Sequence, residues 1–302
     1  MELKDLDVVE QLGRGSYGDV FRVTVLSSGE ELAMKVVSVV NNEEPAHVSR
    51  TLLEVRTLHS SSCPYVVNFR GAFVDGSDIH TLMELMWGSL DALIELVAGV
   101  LGEDAYFVPE FVVGHVALAM SGAIRYLKKE KNVMHRDLKP ANVLINASGE
   151  VKLCDLGISK VLTNSVTRTA VGSKAYMSPE RLTEPEYDVR ADVWSLGIVI
   201  VELVTGSYPY AHLEQPLKIL TAIAEGDAPT LPEGIPYSAE CKDFVATCLE
   251  RNVDDRPKPK KLLKHPFLKK AMAQDSTAEV AAWLSDLRTQ FVSIHGVEFE
   301  EA

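Results

Sequence analysis

Cysteine is scarce in this chain, and the four present, Cys63, Cys154, Cys241 and Cys248, show no paired spacing that would hold a metal or build a disulfide framework. No apolar leader follows Met1, so the expected compartment is reducing: cytoplasmic, with the nucleus left open as a second location. Long hydrophobic runs are also missing. The strongest, Val193 to Val204, is interrupted by Ser195 and Glu202 and falls short of the roughly 20 apolar residues that cross a bilayer, so it is expected to be a buried helix and no membrane partner is expected. Basic residues are outnumbered, 30 Lys and Arg against 43 Asp and Glu, for a formal net charge of −13. That balance disfavours nonspecific nucleic-acid binding, which draws on basic surface. Repeats and low-complexity stretches are absent from the sequence.

What is present is enough apolar material for a large core: 46% of 302 residues are hydrophobic and 24% charged. The first third reads as strands. Two short runs between Leu6 and Val25 flank a glycine-rich turn, a third covers Glu31 to Val40, and Tyr65 to Phe73 and Ile79 to Leu85 flank an Asp-Gly-Ser-Asp turn. Between them Pro45 opens a helical stretch with Val48, Leu52, Val55 and Leu58 on one stripe and Glu54 beside it. Beyond Gly88 the periodicity becomes helical through Phe111 to Leu127, Val193 to Val204, Leu217 to Ala224 and Phe244 to Leu249. The segment after Ala271 keeps a helical stripe at Val280, Trp283, Leu284 and Leu287 and then turns acidic.

The most informative stretch is His135-Arg136-Asp137-Leu138-Lys139-Pro140-Ala141-Asn142, followed by Asp155-Leu156-Gly157. It supplies a base and two hard oxygen ligands at close spacing, a set suited to phosphoryl transfer. Near the start, Gly13-Arg14-Gly15-Ser16-Tyr17-Gly18-Asp19-Val20 puts glycines where backbone amides can approach phosphates without a side-chain clash. The same pattern opens dinucleotide-binding folds, but there a helix follows, whereas here Val20, Phe21, Val23 and Val25 are strand formers.

Together these motifs resemble the eukaryotic protein kinase signature. The resemblance implies an α+β bilobal fold: a small β-rich N-lobe with one main helix (residues 1–83), a hinge (84–88), a larger, mostly helical C-lobe (89–270) and a C-terminal extension (271–302) with a helix and an acidic tail. It implies ATP and Mg²⁺ as cofactors. In it Asp137 is the catalytic base, Lys139 neutralises the moving phosphoryl, Asn142 and Asp155 hold the metal, and Lys35 binds the α- and β-phosphates while pairing with Glu54. Leu12, Gly13, Gly15 and Gly18 cover the nucleotide, Val20, Ala33 and Leu144 sandwich the base, and Met83 is the gatekeeper. Glu84 and Met86 offer hinge backbone groups to adenine, with side-chain identity secondary. Cys154, next to the nucleotide, is expected to be a small buried residue open to alkylation. Glu180 in Ser178-Pro179-Glu180 is expected to pair with Arg256, and Asp192 to hold the catalytic loop's backbone. Leu156 departs from the family's usual Phe.

Ser165 and Thr169, four residues apart ahead of Gly172, make the chain look like a mitogen-activated protein kinase kinase. Met83-Glu84-Leu85-Met86, Ala175-Tyr176-Met177-Ser178-Pro179-Glu180-Arg181-Leu182 and His265-Pro266-Phe267 carry the same resemblance. It implies phosphorylation of Thr and Tyr in a downstream MAP kinase, and activation at Ser165 and Thr169 by an upstream MAP kinase kinase kinase, with Arg136 as the local cation. Two other readings stand beside it: an ordinary serine/threonine kinase, and a pseudokinase scaffold. The stripe from Val280 to Leu287 either engages the upstream kinase or packs on the C-lobe.

Overall fold

A computed structural model of the chain describes residues 2–15, 18–38, 63–155, 174–184 and 186–299. The helical stretch opened by Pro45, with Glu54, and the residues Leu156, Ser165 and Thr169 lie outside the described residues.

Strands β1 (Leu6–Gly15), β2 (Gly18–Val25), β3 (Glu31–Ser38), β4 (Phe69–Asp75) and β5 (Asp78–Glu84) form an antiparallel sheet in the order β1-β2-β3-β5-β4. Strand alternation sorts its side chains. Leu32 and Met34 join Val23, Val25, Phe73 and Leu82 in a buried cluster, which turns Ala33 and Lys35 to the opposite face. The β1–β2 hairpin requires glycine at position 18, where φ is 137° and a Cβ would lie 2.0 Å from the Val36 carbonyl oxygen. One expected strand starts late. Tyr65 to Asn68 are not part of β4; instead Val66 bridges Leu153 in parallel, the Leu153 N–H donates to the Tyr65 carbonyl at 2.9 Å, and Val67 N–H donates to the Leu153 carbonyl at 3.0 Å. A strand former thus finds its partner in the second sheet, β6 (Gly88–Ser89), β7 (Val143–Ile145) and β8 (Val151–Leu153), and this cross-link fastens the two parts of the molecule together.

The larger part is helical. Helix α1 (Leu90–Leu101) starts where Ser89 Oγ accepts the Ala92 N–H at 3.2 Å. It is followed by α2 (Glu110–Tyr126), α3 (Pro179–Thr183), α4 (Arg190–Thr205), α5 (Pro216–Glu225), α6 (Ala239–Cys248), α7 (Pro259–Leu262), α8 (Pro266–Gln274) and α9 (Thr277–His295). Helix α4, which contains the expected buried run, is apolar on nearly every side and is enclosed by the others. No helix among the described residues is long and apolar enough to cross a membrane, and all four cysteines are free.

Helix α9 runs against the C-lobe. Val280, Leu284 and Leu287 are buried in the same core as α2 and α4, and a Cβ on Gly149 would meet the Thr277 carbonyl oxygen at 2.1 Å. Of the two readings of this stripe, packing on the C-lobe is the one the structure contains. The Arg288 guanidinium on α9 lies 5.5 Å from the Trp87 ring, and beyond α9 Phe299 returns to within 6.4 Å of the same ring.

Candidate active site between the two sheets

The face of the first sheet that carries Ala33 and Lys35 looks into a cleft of about 320 Å³. Leu12, Gly13, Gly18, Val20, Ala33, Lys35, Met83, Glu84, Met86, Lys139, Asn142, Leu144 and Asp155 all line it. Met83 and Met86 pack with Val67, Leu144 and Cys154 into one apolar patch at its inner end. Gly15 pairs with Gly18 at the hairpin tip. Val67, Ser89 and Asp91 line the cleft without having been singled out from the sequence. A second hollow of about 630 Å³ lies beneath α3, but it contains none of the residues expected to handle phosphate, so residue convergence locates the chemistry better than size does.

Lys35 Nζ donates to Asp155 Oδ1 and Oδ2, both at 2.6 Å, and so joins β3 to the second residue after β8. Asp155 is held in the left-handed region, φ 56°, two residues after the strand ends. Asn142 lies on a 3-10 turn opened by Pro140, and its Nδ2 donates to the Asp137 carbonyl at 2.6 Å and to Asp137 Oδ2 at 3.1 Å. Lys139 Nζ is 3.6 Å from the same carboxylate oxygen. Asp137 therefore does not line the cleft itself but is bonded to a residue that does. Behind this row, Asp192 at the start of α4 accepts the His135 and Arg136 N–H groups, both at 2.9 Å, and His135 Nε2 lies 2.8 Å from the Cys154 carbonyl oxygen. That last bond ties the loop that carries Asp137 to the approach to Asp155.

The donor set suits a hard divalent cation. Asn142 spends its N–H groups on Asp137, which directs its amide oxygen away from that residue, and Asp155 adds a carboxylate. Two protein oxygens alone make no cage, and no group of three or more metal-ligating side chains occurs among the described residues. This matches an ion that completes its shell with phosphate and water oxygens.

Three findings go beyond the sequence reading or modify it. The Glu84 side chain matters as much as its backbone: it accepts the Asn68 N–H at 2.8 Å and both its oxygens accept from Lys152 Nζ at 3.0 Å, tying the hinge to β8. Lys152, nearly buried between Val151 and Leu153, gave no sign of this in the sequence beyond an odd polar residue in a short strand. Cys154 is half-buried and lines the cleft, and desolvation holds its thiol above its ordinary range.

Under the residues that follow position 173 lies a polar network. The Tyr176 hydroxyl donates to Glu202 Oε2, Ser195 Oγ to the Tyr176 carbonyl and the Tyr208 hydroxyl to the Ala175 carbonyl, each at 2.7 Å. Burial pushes the Glu202 carboxyl up to about 7, opposed by the Tyr176 hydroxyl and assisted by the Asp91 charge. Between the ordinary value of 4.5 and about 7 the folded state keeps a proton that the unfolded state loses. Stability therefore falls as pH rises through that window, by on the order of 3 kcal/mol, and is level above it. Glu202→Gln removes the titration while keeping an acceptor for Tyr176. It is expected to melt several degrees above the parent at pH 8, the gap closing toward pH 5; a gap independent of pH in thermal scans means that Glu202 does not titrate there.

Comparison with known proteins agrees with this geometry. Residues 6–268 match the family described as protein kinase domain. The human dual specificity mitogen-activated protein kinase kinase 7 is 36% identical over 293 residues, which cover 95% of this chain and 67% of that protein. The Caenorhabditis elegans dual specificity mitogen-activated protein kinase kinase sek-1 is 40% identical over 272 residues, covering 88% of this chain and 79% of its own length. The Drosophila melanogaster relative hemipterous is 37% identical over 301 residues, 98% of this chain but 25% of that longer protein. By the extent of these matches the chain belongs to the protein kinase family, as a dual-specificity kinase of the mitogen-activated protein kinase kinase type.

Proposed function

We propose that this kinase uses ATP with Mg²⁺ to phosphorylate both the Thr and the Tyr in the activation loop of a downstream MAP kinase. The observation that carries the reading is the meeting of Lys35, Asp155, Asn142 and Lys139 around one cleft, with Asp137 bonded to Asn142 and beside Lys139, although they come from segments up to 120 residues apart. Adenine sits against Val20, Ala33, Met83 and Leu144, and the Met86 backbone faces its edge. Lys35 binds the α- and β-phosphates. Asn142 and Asp155 would hold a divalent cation, which would supply positive charge beside the phosphates. Asp137 orients the incoming hydroxyl and takes its proton, while Lys139, already beside that carboxylate, offsets charge on the moving phosphoryl group. None of these roles needs a protein nucleophile.

Activation follows from an upstream MAP kinase kinase kinase modifying Ser165 and Thr169. Each phosphate brings roughly −1.5 to −2 charges and three acceptor oxygens, enough to recruit a nearby guanidinium. What supports Arg136 in that role is that its Nε is buried without a hydrogen-bond partner among the described residues. Replacing both hydroxyl residues by Ala is expected to abolish the gain in activity after treatment with an upstream kinase, and acidic replacements to restore part of it, since a carboxylate supplies less charge than a phosphate. Normal activation of the double-Ala form refutes the regulatory assignment. Incubation with a panel of kinase-dead MAP kinases, read by phosphopeptide mass spectrometry, tests the substrate assignment; transfer to Thr without Tyr in every member refutes it.

A further inference from the structure

The residue just before the proposed base, Arg136, has a left-handed backbone with φ 69°. Residues with a Cβ keep that conformation only where their surroundings hold it. Three contacts do so. The His135 and Arg136 N–H groups are taken by the two oxygens of Asp192, and the Arg136 carbonyl accepts Arg181 Nη1 at 2.7 Å. That carbonyl shares a rigid peptide plane with the Asp137 N–H, which points at His135 Nδ1 at 3.4 Å. Gripping the carbonyl therefore sets the plane from which the Asp137 side chain departs.

The grip comes from α3, which starts just after Ser178. Its neighbour Glu180 is pinned to Arg256 at 2.8 Å, so the helix itself is fixed. The Arg181 guanidinium is braced on the Tyr187 ring, 5.1 Å from its centroid, and the Arg136 guanidinium lies 6.0 Å from the same ring. An Arg is well matched to this task, because one nitrogen can donate to a carbonyl while the planar group stacks.

We propose that Arg181 is a positioning residue for phosphoryl transfer: by holding the Arg136 carbonyl it sets the orientation of Asp137 and couples α3 to the proposed base. The inference rests on the assignment of Asp137 as that base. Misplacement of a reacting group by about 1 Å costs up to about 100-fold in rate, so the expected effect falls on turnover rather than on binding.

The test uses the full chain with ATP and Mg²⁺, reading basal ATP hydrolysis. Arg181→Met keeps the length and apolar stem but removes the donor; Arg181→Lys returns a charged donor. Arg181→Met is expected to lower kcat roughly 10- to 100-fold with KM for ATP within about twofold, and Arg181→Lys to recover a large part. In an Asp137→Asn background, Arg181→Met should cost nothing further, because both changes act on one group. Unchanged kcat, or a loss that adds in full to that of Asp137→Asn, overturns the proposal. Full turnover by Asp137→Asn alone instead overturns the base assignment, so the two failures are told apart.

Discussion

Asp137→Asn is expected to lower phosphoryl transfer to a protein hydroxyl by about 10²- to 10⁴-fold, the range a positioned general base contributes. Asparagine has the same shape, and its oxygen can still accept Asn142 Nδ2, the bond that Asp137 Oδ2 now accepts at 3.1 Å. The loop geometry set by Asp192 and Arg181 does not depend on the carboxylate, so stability and nucleotide affinity should change little. What disappears is the capacity to take a proton, together with the negative charge that Lys139 faces at 3.6 Å. The loss should therefore appear in kcat with KM for ATP almost untouched. Steady-state transfer to a folded substrate kinase measures it. Retention of more than about a third of the parent kcat means that proton acceptance by Asp137 is not part of the reaction.

The residues that converge at the cleft were readable in advance because the chemistry proposed for it restricts both their type and their spacing. His135 to Asn142 is one short loop, so sequence separation nearly equals spatial separation, and Asp155 follows a strand only three residues long. Lys35 was readable for a different reason: alternation along β3 forces it onto the face opposite Leu32 and Met34. Contacts that any apolar or charged residue can make were not legible. Val67 lines the cleft, but Val is common wherever a strand is half-buried. Lys152 and Glu84 are 68 positions apart, and neither neighbourhood names the other as its partner. The same holds for Tyr65 to Val67, whose propensity for extended structure was plain while its true partner, Leu153, lay in the other sheet. Arg181 was visible only as part of a family-like run; its grip on the Arg136 carbonyl depends on a left-handed backbone that no side-chain pattern announces.

Arg256→Ala is expected to cost about 3–5 kcal/mol of stability, the usual penalty for breaking a buried ion pair by removing one partner. The Arg256 side chain is fully buried and Glu180 is 4% exposed. Their attraction alone does not explain the size of the effect, since a well-packed apolar pair can be as stable as a buried charged one. The cost arises from what is left behind. Glu180 keeps a carboxylate with no cation beside it, the carbonyls of Glu250 and Arg190 lose donors at 2.7 Å and 3.1 Å, and Trp194 loses the guanidinium 5.1 Å from its ring. A double change, Arg256→Met with Glu180→Leu, removes the stranded charge and should recover part of the loss, but only part, because the donors to the two carbonyls stay lost. Equilibrium denaturation in urea, with the slope checked for constancy, measures both variants. If Arg256→Ala costs less than about 1 kcal/mol, water already reaches the pair and the buried-charge argument fails; if the double variant is no better than the single, the lost carbonyl bonds outweigh the stranded carboxylate.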